Sequence, residues 1–96
     1  MRMKKPMTKT IWHVYVVRCA DGTYYSGITT DISRRIKEHN HTSKGARYTR
    51  SRRPVSLSYA EVVKNRSAAS IREYKIKHMK RSEKEDLVSI TVPKIR

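Results

Sequence analysis

A short segment of the chain combines apolar and ionisable residues in a pattern that could bind an anion. Residues 32–39 (ISRRIKEH) have helical spacing and follow the potential capping residues Thr29-Thr30-Asp31. At roughly 100° per residue, Arg35 and His39 lie on the same stripe as the two isoleucines. A cation on an inward helix face is costly unless an opposite charge pairs with it. Two interpretations follow: an arginine at the stripe edge beside a core histidine, or an anion site between helix and sheet.

The charge of the chain indicates which anion to expect. Its 96 residues contain 23 Lys and Arg against 8 Asp and Glu, a formal net charge of +15. Such a surplus favours a polyanionic partner, because phosphate binding by cationic side chains releases counterions. Nucleic acid is therefore the expected partner, ahead of a membrane surface.

Other features of the composition narrow the class of protein. No apolar run approaches the roughly 20 residues that a membrane span needs, and no signal-type apolar core follows the basic start. We therefore expect an intracellular protein, cytoplasmic or nucleoid-associated. Cys19 is the only cysteine, which excludes an internal disulfide and a cysteine-based metal site.

The elements that would position this helix predict a small α+β domain. β-Branched and aromatic runs predict strands, and capping residues before apolar periodicity predict helices. The strands cover residues 11–18, 23–28 and 55–63, and the helices cover 32–39, 68–79 and a third from Ser82, in a capping box. The order is ββαβαα, a three-stranded antiparallel sheet flanked by helices. One domain spans residues 11–91, between a flexible basic arm at 1–10 and a tail at 92–96.

Several motifs along this domain resemble one nuclease family. His13-Val14-Tyr15 and, ten residues later, Tyr25-Ser26-Gly27 resemble the two half-motifs of GIY-YIG nucleases. The spacing from Gly27 to Arg35, and the following Arg-x-x-x-His helix, are similar to the same family. Residues 44–50 and 70–77 resemble its small stand-alone bacterial and viral subfamily, the UPF0213-like proteins. The resemblance covers about residues 12–90.

The resemblance implies a role for each matched residue. Tyr15 and Tyr25 would position or activate the attacking water, one of them as general base. Arg35 would stabilise charge on the scissile phosphate, and His39 would assist by proton transfer or a hydrogen bond. Glu73 would hold one divalent cation, Mg²⁺ or Mn²⁺. The implied activity is a metal-dependent endonuclease that cuts DNA with structural selectivity or weak sequence specificity.

The sequence also departs from the family pattern. His13 stands where the family name has glycine, and Ile28 where some family enzymes have lysine. Neither Lys77 nor His78 is a convincing counterpart of the polar residue that follows the metal-binding glutamate in some relatives. From the residues alone, the tyrosines could be ordinary strand aromatics, and Glu73 could be a solvated helix residue paired with Lys77.

A basic loop follows the first helix and predicts a phosphate clamp, although a solvated charge run is the alternative. Tyr48 lies among its cations and would stack on a base or anchor the loop. The predicted nucleic-acid contacts are Gly27, Arg34, Lys44, Arg47, Tyr48, Arg50, Arg52, Arg53 and Lys77. The expected partner is DNA, including branched, flap or damaged forms, with RNA as a further candidate. No oligomeric state is favoured.

The register of the first hairpin decides whether a shared site can exist. Asp21-Gly22 suits a two-residue turn, which would place Tyr15 and Tyr25 on opposite faces of the sheet. A three-residue loop ending in a left-handed Gly22 would instead place both rings on one face, with Tyr15 opposite Gly27. The proposed chemistry requires this second register, so we predict it.

Two other functions compete with cleavage. A protein of the same fold could bind DNA or RNA without cutting it, because both functions need the same surplus of positive charge. A basic protein that docks onto a ribonucleoprotein is a third hypothesis. That hypothesis leaves the inward-facing Arg35 and His39 unexplained.

Overall fold

The structure, a computed structural model, describes residues 10–95, and the side chains of residues 10–90. Within this range the chain forms three strands and four helices. They are β1 (Trp12–Arg18), β2 (Tyr24–Thr29), α1 (Ile32–His41), α2 (Arg47–Arg50), β3 (Ser56–Val63), α3 (Arg66–Lys77) and α4 (Arg81–Ile95). The α+β class and the order ββαβαα are confirmed, with α2 as an extra single turn inside the segment predicted as loop.

The predictions for the two ends of the chain have different outcomes. Apart from Thr10, the predicted N-terminal arm lies outside the described residues. At the other end, α4 continues to Ile95, so the tail predicted at residues 92–96 is helical up to that residue. Among the described residues, no helix is long and apolar enough to cross a membrane.

The sheet is antiparallel in the order β2-β1-β3, so β1 lies at its centre and β2 forms one edge. Residues 14–17 of β1 are all buried because both faces of the sheet are covered. On one face, Val14 and Val16 pack against Ile76 of α3 and other apolar side chains. On the opposite face, Tyr15 and Val17 pack with Ile36 of α1.

The hairpin between β1 and β2 adopts the predicted three-residue register. The Cys19 N–H donates to the Thr23 carbonyl at 2.8 Å, and Gly22 has a φ of +86°. Tyr15 lies opposite Gly27, and Tyr25 lies opposite Val17. Because side chains alternate between faces, both tyrosines lie on the face covered by α1.

The helix starts follow side-chain capping, with one correction. The side chain of Asn65 caps α3 by accepting from the Ala68 N–H at 2.8 Å, so the helix begins at Arg66, two residues before its predicted start. The capping box predicted from Ser82 is wrong in register, because α4 begins at Arg81 and Glu83 Oε1 accepts from the Lys80 N–H at 2.8 Å. The earlier start also allows the ion pair between Arg81 and Glu85, at 2.9 Å.

Candidate active site

A buried tyrosine–histidine pair lies where α1 crosses the sheet. Tyr15 Oη is 2.8 Å from His39 Nε2, and the two residues are 1% and 0% exposed. On the far side of the ring, His39 Nδ1 is 3.0 Å from Thr49 Oγ1, which donates to the Ala46 carbonyl at 2.9 Å. The Ala46 N–H donates to the same nitrogen at 3.3 Å. The ring is therefore held at both nitrogens without contact with solvent.

Gly27 gives Tyr15 the space for this position. A Cβ atom at residue 27 would lie 2.5 Å from Tyr15 Oη and 2.7 Å from its Cζ. Any larger residue at this cross-strand position would displace the tyrosine ring. The glycine of the second half-motif thus sets where the hydroxyl of the first half-motif lies.

Burial shifts the pKa values of both partners away from their charged forms. The pKa of His39 falls to about 4, because desolvation and the nearby Arg35 charge disfavour a second proton on the ring. Burial raises the pKa of Tyr15 to about 12, although a hydrogen bond and the charge of Arg35 oppose this shift. At neutral pH the pair consists of a neutral imidazole and a neutral phenol.

Tyr25 lies beside this pair and connects it to the edge of the sheet. Its ring meets His39 edge-on at 5.5 Å and stacks on Tyr48 at 5.8 Å, with an interplanar angle of 19°. Burial raises the pKa of Tyr25, while the Arg35 charge lowers it and the Glu73 charge raises it. Tyr25 is therefore within electrostatic range of both predicted charged site residues.

Arg35 is half-buried at the rim of the site. Its Nη1 donates to Glu38 Oε1 and to the Lys44 carbonyl, each at 2.9 Å. These bonds fix the guanidinium and leave part of its fork available to an anion. The cation expected on the inward face of α1 is thus paired but not enclosed.

Glu73 approaches from the opposite face of the sheet. It belongs to α3, which packs on the other side of β1, and its Oε2 accepts from Ser26 Oγ on the edge strand β2 at 3.4 Å. Within residues 10–90 its carboxylate forms no salt bridge, so the alternative pairing with Lys77 is not observed. A half-buried carboxylate without a cation suits a metal ion that keeps most of its water ligands. The part of the chain that the structure describes contains no cluster of three or more potential metal-ligating side chains.

Two cations of the predicted phosphate clamp have internal partners instead. Arg53 donates from Nε to the His39 carbonyl and from Nη2 to the Thr42 carbonyl, which satisfies the end of α1. Arg52 pairs with Asp21 at 3.0 Å, and its guanidinium carbon lies 3.9 Å from the centre of the Tyr48 ring. These contacts join the loop to the end of α1 and to Asp21 in the turn between β1 and β2.

The remaining predicted contacts occupy different places around the site. The Tyr48 ring stacks on that of Tyr25. Lys77 lines a pocket of about 230 Å³ along β2, together with Tyr25 and Tyr48. Arg34 Nε lies 3.6 Å from Glu38 Oε2 on the same helix. Three further cations are exposed on the loop side, namely Lys44, Arg47 and Arg50.

Sequence reasoning missed the residues that hold His39 from behind. A Cβ atom at Gly45 would lie 2.8 Å from the Glu38 carbonyl oxygen and from His39 Cα, so only glycine lets the loop pack on α1 here. This packing brings Ala46 and Thr49 to the imidazole. Thr49 lies in a basic loop without periodicity, where no local pattern marks a buried residue.

The arrangement of these residues is shared with a known protein family. The GIY-YIG catalytic domain matches residues 11–86, which include Tyr15, Tyr25, Arg35, His39 and Glu73. The chain belongs to the GIY-YIG family. Its membership places it in a family of nucleases that act on nucleic acid.

Individual relatives narrow the group within the GIY-YIG family. The chain is 58% identical over 87 residues to a UPF0213 protein of Desulfotalea psychrophila, covering 90% of this chain and 79% of that one. It is 53% identical over 75 residues to a UPF0213 protein of Halobacterium salinarum, covering 78% and 96%. The small single-domain subfamily predicted from the sequence is therefore confirmed.

Solved structures share the same fold. The solution NMR structure of the UPF0213 protein from Bacillus halodurans is 44% identical, with a TM-score of 0.53 and coverage of 83% and 84%. The solution NMR structure of the protein EF2693 from E. faecalis is 34% identical, with a TM-score of 0.58 and coverage of 92% and 93%. Both support the three-stranded sheet with its flanking helices.

Proposed function

We propose that this GIY-YIG protein is an endonuclease that cuts DNA phosphodiester bonds with a divalent metal ion, with structural selectivity or weak sequence specificity. The observation that carries the proposal is the arrangement around Tyr25. The charges of Arg35 on α1 and Glu73 on α3 both act on the Tyr25 hydroxyl, and the Glu73 carboxylate accepts from Ser26, the residue that follows Tyr25 on the edge strand β2. A phosphate at this edge would meet a cation on one side and a carboxylate on the other.

The tyrosine–histidine pair would act on the attacking water. The Ala46 N–H donates to His39 Nδ1, so this nitrogen is an acceptor and the neutral ring carries its proton on Nε2. Nε2 then donates to Tyr15 Oη, which leaves the phenolic proton of Tyr15 available for a hydrogen bond to the attacking water or to a phosphate oxygen. Because burial raises the pKa of Tyr15 to about 12 and lowers that of His39 to about 4, both groups stay neutral at pH 7, and the pair would position the water through hydrogen bonds.

Arg35 and Glu73 would help to offset the negative charge of the reacting phosphate, one directly and one through a metal ion. The guanidinium of Arg35 suits the two non-bridging oxygens of a phosphate and stabilises the charge that develops there. Glu73 would hold the Mg²⁺ or Mn²⁺ ion, which supplies charge neutralisation and a polarised water when bound. Tyr25 would orient the water between these groups. Such an activity is consistent with a place in the cytoplasm or nucleoid, where DNA is present.

The test is a cleavage assay with matched variants. Purified protein is incubated with single-stranded, duplex, flap and branched DNA, and with RNA, in Mg²⁺ or Mn²⁺. Glu73→Ala and Arg35→Ala are expected to cut roughly a hundredfold more slowly, while Glu85→Ala, which removes an exposed carboxylate from α4, should cut like wild type. If Glu73→Ala cuts as fast as wild type under matched metal, the assignment of Glu73 is wrong. Binding of these substrates without cleavage in any metal would favour the non-catalytic alternative.

A further inference from the structure

A second pocket lies beside the proposed site, between α1, the end of β2 and the start of α3. It has a volume of about 290 Å³, and its walls include Trp12 and the side chains of Arg34, Arg35 and Arg66. Arg66 comes from α3 and the other two arginines come from α1. Three guanidinium groups from two separate helices therefore converge on one concave surface.

The charges of this pocket do not balance. Among the residues that the structure describes, Glu38 is the only carboxylate in the lining of this pocket, and it is shared by Arg34 at 3.6 Å and Arg35 at 2.9 Å. Arg66 forms no salt bridge with any residue from 10 to 90; its guanidinium carbon lies 5.6 Å from the centre of the Trp12 ring. The pocket thus has a surplus of positive charge, which an anion would offset.

Helix stability does not account for Arg66. It occupies the first position of α3, directly after the cap Asn65, and no acidic residue lies in the first turn. A cation at this position opposes the helix dipole, so it destabilises the helix slightly when no anion is present. A bound phosphate would reverse that effect and would accept hydrogen bonds from the guanidinium.

We infer that this pocket is a second phosphate subsite, which binds the phosphate of the nucleotide next to the scissile one. The inference rests on the proposed function, because Arg35 lines the pocket and is also the residue proposed to bind the scissile phosphate. Arg66 and Arg34 would bind the neighbouring phosphate. Trp12 would contact the attached sugar or base. The subsite would fix the register of the strand relative to Arg35.

The chain offers a direct probe of this subsite, because Trp12 is its only tryptophan. Trp12 fluorescence is followed in EDTA while inorganic phosphate, thymidine monophosphate or a thymidine trinucleotide is added. We expect a saturable change with the trinucleotide and a weaker response to free phosphate. Arg66→Ala and Arg34→Ala should each weaken trinucleotide binding roughly tenfold, the loss expected for one charge-assisted hydrogen bond.

Lys37→Ala is the matched control, because Lys37 lies on α1 but lines a different pocket. It removes the same charge and should change the affinity less than about twofold. Arg34→Ala keeps the test valid if loss of Arg66 disturbs the Trp12 ring directly, and thermal unfolding shows whether each variant is folded. Equal trinucleotide affinity in wild type, Arg66→Ala and Arg34→Ala would overturn the subsite, as would a fluorescence signal that never saturates.

This measurement is independent of cleavage, since EDTA removes the divalent ion. If the protein cuts no substrate but binds the trinucleotide through Arg66 and Arg34, the subsite is supported and the proposed nuclease function is contradicted. If the protein cuts DNA while both variants bind the trinucleotide like wild type, the function is supported and the subsite is contradicted.

Discussion

The two faces of the sheet differ in the polarity of the side chains that they bury. Under α3 and α4, the fully buried side chains are apolar, with Val14, Val16 and Ile76 at the centre. Under α1, the protein buries His39 and Thr49 beside Tyr15. Buried polar groups lower stability unless each finds a hydrogen-bond partner, and here each does. The α3 face is therefore stabilised mainly by apolar packing, whereas the α1 face buries a hydrogen-bonded polar network, and Glu73 reaches the edge of the sheet from the α3 side.

The largest expected effect tests the apolar face. Ile76→Ala should lower the free energy of unfolding by about 2–5 kcal/mol, because Ile76 is 0% exposed and its truncation leaves a cavity in the core. Arg35→Ala, on the other face, should lower it by about 1 kcal/mol or less, since its ion pair with Glu38 is partly solvated. Urea unfolding followed by circular dichroism measures both values. A smaller loss in Ile76→Ala than in Arg35→Ala would contradict the division between the faces.

The second prediction concerns pH and tests the polar face. The pKa of His39 is about 4 in the folded protein and about 6.5 in the unfolded chain, so the unfolded state binds more protons between these values. Stability should therefore be complete above pH 6.5, decline as the pH falls towards 4, and lose at most about 3 kcal/mol from this group. Thermal unfolding across this range measures the loss.

A variant separates His39 from the other titrating groups. His39→Gln keeps a polar side chain near Tyr15 but has no proton to gain, so its stability should change less between pH 6.5 and 4.5. Hydrogen bonds lower the carboxyl pKa values of Asp21 and Glu38 below their usual range, so these two groups act at lower pH. A pH dependence identical in wild type and His39→Gln would show that the imidazole is not buried in its neutral form.

Local patterns and the family resemblance together predicted much of this arrangement. The stripe on α1 placed Arg35 and His39 inward, and the need for a shared site selected the hairpin register that the structure confirms. The position of Glu73 could not be derived in the same way, because the apolar sector of α3 is poorly defined. Its contact with Ser26 joins residues 47 positions apart, which no local pattern encodes.

The loop after α1 shows the same limit more clearly. Its composition predicted a uniform phosphate clamp, since every arginine adds the same charge. Its conformation depends instead on Gly45 packing against α1 and on Arg53 reaching the carbonyls at the helix end. These contacts depend on the three-dimensional path of the loop, so residues of the same type acquire different tasks.

The smallest expected effect distinguishes loop arginines that are available to bind phosphate from an arginine that is bonded to α1. Arg47 and Arg50 are exposed, and neither has a polar partner for its side chain within residues 10–90, whereas Arg53 is bound to α1. Replacing Arg47 and Arg50 together by alanine should reduce the slope of log affinity against log salt for DNA by about 1 to 2, since each phosphate contact contributes roughly 0.7–0.9. Arg53→Ala should leave this slope nearly unchanged and lower the free energy of unfolding by about 1–3 kcal/mol, because carbonyls at the end of α1 lose their donor.

Fluorescence anisotropy at several salt concentrations measures the slope, and urea unfolding measures the free energy of unfolding. A slope reduced equally by Arg53→Ala and by the double variant would mean that Arg53 leaves α1 to bind phosphate, and the loop would then act as the single clamp that its composition suggests.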